Sequence, residues 1–295
     1  MQKITVIIPV YNSGDTLHKC LNSVINQTYK NIEIITVYKP SSDNTLRVLK
    51  SFRDKRIKII KQTEPTGPGG ARNMGLDAAS GDWLGFLEAD DFIEPDFYEK
   101  LLDAAIKNNC DIAQGQMYKG KKAVNNIQNI KIYATPRQRY AIIKNGASFD
   151  KLFRTEIIRQ NNIRFSECVR WEDNPFIFKS FFYGKLVTVP DARYFYNPSP
   201  WSEQYKEKLR ADIPIVAKEI MDFIKTTNLK KSDITLVKRK MVKSFMKSFI
   251  SEKNVYKQVF FILDKPVFLF MLYYRKKIKH FLKQIKRSII CQKKH

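Results

Sequence analysis

Hydrophobic and polar positions along the first 90 residues switch repeatedly between two periods. Ile4-Thr5-Val6-Ile7-Ile8-Pro9-Val10 is a β-rich run almost without polar residues, as expected of a strand buried on both faces of a parallel sheet. Asn12-Ser13-Gly14-Asp15 reads as a turn and helix cap, and Leu17, Cys20, Leu21, Val24 and Ile25 then recur at helical spacing. A second strand is predicted over Ile32 to Val37, followed by the polar loop Lys39-Pro40-Ser41-Ser42-Asp43-Asn44 and a helix carrying Leu46, Val48, Leu49 and Phe52. A third strand falls at Ile57 to Ile60. The loop Gly67-Pro68-Gly69-Gly70 leads into a helix predicted from Ala71 to Ala79, and a fourth strand, Trp83 to Leu87, ends in Glu88-Ala89-Asp90-Asp91.

Strands and helices alternating at this short spacing predict an α/β fold, a mostly parallel sheet with helices on both faces. Such sheets bind ligands beyond the carboxyl ends of their strands. The clusters at Tyr11-Asn12, Lys39 to Asn44 and Glu88 to Asp91 each follow a strand and are expected to meet in one crevice. Residues 100–200 mix both signals, with Lys119 to Asn129 read as a loop. Beyond Trp201 no strand is expected and the pattern is helical.

Charge divides the chain. The 295 residues carry a net +24. Residues 1–200 contribute +8 and residues 201–295 contribute +16, twice as much from half the length. The expected organisation is therefore a domain over 1–200 and a basic helical region over 201–295. From Phe270 to Ile289, apolar residues recur at three and four with Lys276, Lys279, Lys283, Lys286 and Arg287 largely on other faces. That pattern suits an anionic membrane surface. A helix packed on the domain, or a nucleic-acid contact, are the alternatives. The apolar run Pro266 to Tyr274 is far short of the roughly 20 residues that span a bilayer. The start of the chain enters a strand directly and reads as cytosolic. Four scattered cysteines without a CxxC pair make a zinc site or disulfide framework unexpected.

Three constellations could carry chemistry. Glu88, Asp90 and Asp91 crowd a strand end, where hard oxygens suit Mg²⁺ or Mn²⁺ on substrate phosphates; a capped turn is the other reading. Gly67 to Gly70 with Arg72 could cradle a phosphate, or form a plain turn with a surface arginine. Glu172-Asp173 precedes an apolar helix, as a general base or as a helix cap.

Taken together, Ile4 to Asn12, Leu21 to Tyr29, Ala71-Arg72-Asn73-Met74-Gly75, Phe86 to Asp91, Phe149 to Arg154 and Trp171-Glu172-Asp173 resemble the family 2 glycosyltransferases of GT-A fold, in order, over residues 3–200. The resemblance implies transfer of a sugar, with inversion, from a nucleoside-diphosphate donor (a UDP-sugar by default) to a hydroxyl of a glycan or lipid-linked saccharide. It sets Pro9 and Tyr11 against the nucleotide and matches Glu88-Ala89-Asp90 to the family's DxD motif, with Asp90 as metal ligand for Mn²⁺ or Mg²⁺. It makes Asp173 the catalytic base and, together with the basic C-terminal pattern, leads to the expectation of a protein at the inner face of the cell membrane. Two departures stand out. Lys39 replaces the acid that commonly contacts the base and cannot accept a hydrogen bond from a uracil N–H. Glu88 replaces the first Asp. A relative that has lost catalysis and binds anionic surfaces or nucleic acid is the alternative expectation.

Overall fold

The computed structural model describes residues 1–64, 66–143, 146–167, 171–197 and 203–246. In chain order the elements are β1 (Ile4–Val10), α1 (Leu17–Ile25), β2 (Ile32–Tyr38), α2 (Thr45–Ser51), β3 (Ile57–Lys61), α3 (Gly67–Ala78), β4 (Trp83–Phe86) and β5 (Phe92–Ile93). There follow α4 (Phe97–Lys107), β6 (Ile112–Lys119), β7 (Lys122–Ala123), β8 (Lys131–Tyr133), α5 (Pro136–Ile142), β9 (Lys151–Arg154), α6 (Thr155–Gln160) and α7 (Asp173–Tyr183). β10 (Leu186–Tyr196), α8 (Glu203–Lys225) and α9 (Lys231–Met246) complete the described chain.

The strands form one mixed sheet in the order β3-β2-β1-β4-β9-β6-β10-β5. β3, β2, β1 and β4 are mutually parallel. β9 runs antiparallel between β4 and β6. Side chains alternate across the sheet, so β1 feeds two cores. Ile4, Val6, Ile8 and Val10 pack with Leu17, Leu21 and Val24 of α1 and with Phe97 and Leu101 of α4. Ile7 packs on the other face with Ala71 and Leu76 of α3 and, through Phe86, with Phe176 and Phe181 of α7.

The structure differs from the sequence expectation in two places. The helix after β3 begins at Gly67, four residues early. Pro68 lacks an N–H that the first turn would leave unpaired anyway, so it opens a helix rather than delaying it. Within the segment read as a loop, Lys122–Ala123 pairs with β6, and buried Asn125 ties it down by donating to the Gly115 carbonyl (2.8 Å) and accepting from the Met117 N–H (2.9 Å). Helices α8 and α9, the described part of the basic region, pack on the domain: Ile213, Val216, Ile220 and Ile224 of α8 and Val237 and Met241 of α9 join the α3–α7 core. The predicted amphipathic stretch Phe270 to Ile289 lies outside the described residues.

No helix of the described residues is long and apolar enough to cross a membrane.

Candidate active site

The strand ends of β1, β2, β3 and β4 open on a cleft of about 580 Å³. Six of the expected site residues line it: Pro9, Tyr11, Lys39, Glu88, Ala89 and Asp90. Tyr11 is 52% exposed, and the Lys39 Nζ lies 4.9 Å from its ring centroid, within cation–π range. The Lys39 N–H donates to the Val10 carbonyl (2.9 Å), which continues the β1–β2 ladder past its end.

The Glu88–Asp90 backbone is held from three sides. The Leu87 N–H donates to the Ile7 carbonyl (3.1 Å). The Thr16 hydroxyl donates to the Ala89 carbonyl (2.9 Å), and the Cys20 thiol to the Glu88 carbonyl (3.3 Å). Burial pushes the Cys20 thiol well up, with Asp91 and Glu88 adding to the effect, so it stays protonated as a donor. Asp91 turns away from the cleft and is 1% exposed. It accepts from the Tyr194 hydroxyl and from the Asn197 N–H (2.7 Å). Burial pushes its carboxyl up to about 8. It ties the end of β4 to the end of β10 and takes the structural one of its two readings.

Arg72 does not line the cleft. It is 2% exposed, donating to Glu172 Oε1 (2.7 Å) and ion-paired to Glu88. Its charge thus bridges the strand-end acids and the loop entering α7. Asp173 stands at the first turn of α7 and accepts from the Ser148 hydroxyl (2.8 Å). Part of Asp173 remains exposed, yet protein crowds its carboxyl. Desolvation dominates and raises it to about 7; Arg72 opposes that shift, while Glu172 and Glu88 reinforce it. A carboxylate balanced near neutrality suits a general base.

Aromatic packing brings these acids together. Phe86 at the end of β4 meets Phe165 and Phe176 edge-on at 5.0 and 5.4 Å, and Phe165 stacks on Phe176 at 4.1 Å. Asn73 clamps Phe165 through both backbone groups, donating to its carbonyl (3.0 Å) and accepting from its N–H (2.9 Å). Gly69 lets α3 approach: a Cβ there would lie 2.0 Å from the Ser166 carbonyl oxygen.

Sequence reasoning put Asp43 in a crevice loop without giving it a role and passed over Gln62; both line the cleft. Asp43 accepts from the Gly14 N–H (3.0 Å) and the Thr45 N–H (3.1 Å). Hydrogen bonds from Thr45, first, and from Gly14 hold its carboxyl down at about 2. An Asx turn joined to a glycine loop was the signal available for it. Gln62 carried no signal, since an isolated glutamine after a strand is ordinary.

A cation site made only of side chains is absent: no group of three His, Cys, Asp or Glu residues is arranged for a metal among the described residues. The oxygens of Asp90 and Glu88 on the cleft wall do fit a hard divalent ion that shares its coordination with ligand phosphates, which is how Mg²⁺ is usually held.

Comparison with known proteins agrees with this architecture. EpsH of Bacillus subtilis, named as a glycosyltransferase, is 31% identical over 223 residues, 70% of this chain and 64% of EpsH. The chain thus spans less than two thirds of that relative. A cholesterol galactosyltransferase of Borreliella burgdorferi is 29% identical over 311 aligned positions, 96% of this chain and 83% of that protein. Residues 1–349 of S. aureus TarS, solved in complex with UDP-GlcNAc, superimpose with a TM-score of 0.72 at 21% identity, covering 88% of this chain and 79% of that one. The family model Glycosyl transferase family 2 matches residues 5–183, and the chain belongs to that family of glycosyltransferases.

Proposed function

We propose that this glycosyltransferase moves a sugar from a UDP-sugar to a hydroxyl of a glycan or lipid-linked saccharide in cell-surface polysaccharide synthesis, inverting the anomeric carbon. The observation that carries the reading is the link Glu88–Arg72–Glu172, which couples the cleft wall to the start of α7, where Asp173 stands. The donor would occupy the cleft with its base toward Pro9, Tyr11 and Lys39 and its diphosphate toward Asp90. The acceptor oxygen attacks the anomeric carbon, the bond to the diphosphate oxygen breaks, and the acceptor proton passes to Asp173. This single displacement needs no covalent nucleophile. Mn²⁺ or Mg²⁺ held by Asp90, with Glu88 behind it, would neutralise charge on the departing diphosphate.

The uridine donor is supported by the UDP-GlcNAc complex of TarS, and an acceptor hydroxyl on a lipid by the cholesterol galactosyltransferase of Borreliella. The +16 carried by residues 201–295 fits peripheral attachment to the inner face of an anionic membrane. We also propose that residues 1–200 bear the catalytic groups and 201–295 the surface contact.

The test is release of UDP from a panel of UDP-sugars with and without Mn²⁺. Turnover that is lost in Asp90→Ala and in Asp173→Asn supports the reading. No turnover, and no thermal stabilisation by any nucleoside diphosphate, overturns it in favour of a non-catalytic relative.

A further inference from the structure

The base end of the cleft contains an acceptor that the loss of an acid at position 39 does not remove. Val10 pairs with Tyr38 and Tyr38 with Lys61 across three parallel strands. The residues that follow, Tyr11, Lys39 and Gln62, therefore emerge side by side. Backbone bonds keep them there: the Gln62 N–H donates to the Tyr38 carbonyl (2.8 Å), as the Lys39 N–H does to Val10. All three residues line the cleft.

Gln62 is 4% exposed, and its amide is held in one orientation. Nε2 donates to the Thr66 hydroxyl (3.1 Å) and to the Gly67 carbonyl (3.1 Å). A carbonyl only accepts, so the amide cannot turn over without facing oxygen to oxygen. Oε1 is thereby fixed as an acceptor, and among the described residues no donor bonds it. Lys39 offers the complementary group, an ammonium that only donates.

We propose that Gln62 Oε1 and Lys39 Nζ together read the edge of the donor's base, Gln62 accepting a ring N–H and Lys39 donating to the carbonyl beside it. Uracil presents that edge, as does its 5-methyl relative thymine. Cytosine presents a bare ring nitrogen, whose lone pair would face the fixed Oε1. Gln62 is then a specificity-determining residue for a uridine diphosphate donor. The inference rests on the donor-cleft reading given under the proposed function.

Calorimetric titration of the full chain with UDP, CDP and N3-methyl-UDP, each with Mn²⁺, tests it. One lost hydrogen bond with an acceptor left facing a lone pair corresponds to a preference on the order of ten- to a hundredfold. Wild-type protein is expected to prefer UDP over both other ligands by that factor. In Gln62→Leu the preference is expected to collapse toward unity, at an affinity for CDP no weaker than that of wild type. A purely structural role for Gln62 would weaken UDP and CDP alike and leave their ratio intact, which overturns the proposal. Equal wild-type affinity for UDP and N3-methyl-UDP overturns it without recourse to any variant. Nucleotide binding without base preference leaves the donor cleft standing and removes only the base reading. Absence of binding by UDP, CDP and GDP alike removes both.

Discussion

Asp173 and Arg72 show how strongly one charge conditions another when water is displaced. Desolvation pushes Asp173 up to about 7, and the Arg72 guanidinium holds it from rising further. A base works only when deprotonated, so kcat/KM for UDP release is expected to fall about tenfold per pH unit below pH 7 and to level off above it. A pH–rate profile checks this; an acid limb centred near the ordinary carboxylate range would contradict it. Asp173→Asn is expected to lower kcat by about 10² to 10⁴ with the melting temperature kept. Arg72→Leu leaves Glu88 and Glu172 without their shared partner. Removing one member of a buried ion pair costs about 3–5 kcal/mol, measurable by urea denaturation. In the fraction that folds, the acid limb should move to higher pH, because the charge opposing Asp173 protonation is gone.

At the scale of elements, the site depends on how closely α3 approaches the loop that enters α7. The Cβ of an alanine at position 69 would fall 2.0 Å from the Ser166 carbonyl oxygen and 3.1 Å from Glu172 Cβ. Backbone, unlike the end of a flexible side chain, cannot swing aside, so Gly69→Ala must separate the two elements. Overpacking of this kind costs about 1–3 kcal/mol. The same shift carries Glu172 away from Arg72. Activity is therefore expected to fall more than stability alone explains, and parallel denaturation and turnover assays separate the two. Gly70 makes an informative contrast: its Cβ would meet the Thr66 side chain, a partner that also holds the Gln62 amide.

Across the whole molecule, α8 and α9 pack into the same core as the sheet. Ile220 is fully buried beside Val216 and Ile224 in the cluster that holds Phe176 and Phe181. Lys179 on α7 pairs with Glu219 on α8 at 2.7 Å, and Arg137 on α5 with Asp233 on α9 at 2.7 Å. Ile220→Ala is expected to cost about 2–5 kcal/mol. Because these helices share a core with the sheet, the sheet and helices of the protein are expected to unfold in one transition, with near-ultraviolet and far-ultraviolet dichroism coincident. Two separated transitions would show that the helices fold apart from the sheet.

The sequence by itself determined the elements of the first 90 residues and the strand ends that line the cleft. Strand runs such as Ile4 to Val10 and the helical spacing of Leu17 to Ile25 are local patterns, set by which faces must leave water. Because parallel strands all end on one side, the residues just past them (Tyr11, Lys39, Glu88, Asp90) were already assigned to one crevice. Only the tertiary structure decided the roles that depend on what stands opposite. Arg72, readable as a phosphate ligand or a surface residue, is instead enclosed between Glu88 and Glu172, acids 16 positions after it and 100 positions after it. Asp91, in the same acidic run as Asp90, is drawn out of the cleft by Tyr194, 103 positions away. Gln62 became distinctive once Thr66 and Gly67 fixed its amide. Periodicity records a residue's relation to solvent, whereas hydrogen bonding and desolvation record its relation to particular distant groups. Those groups meet only when the chain has closed.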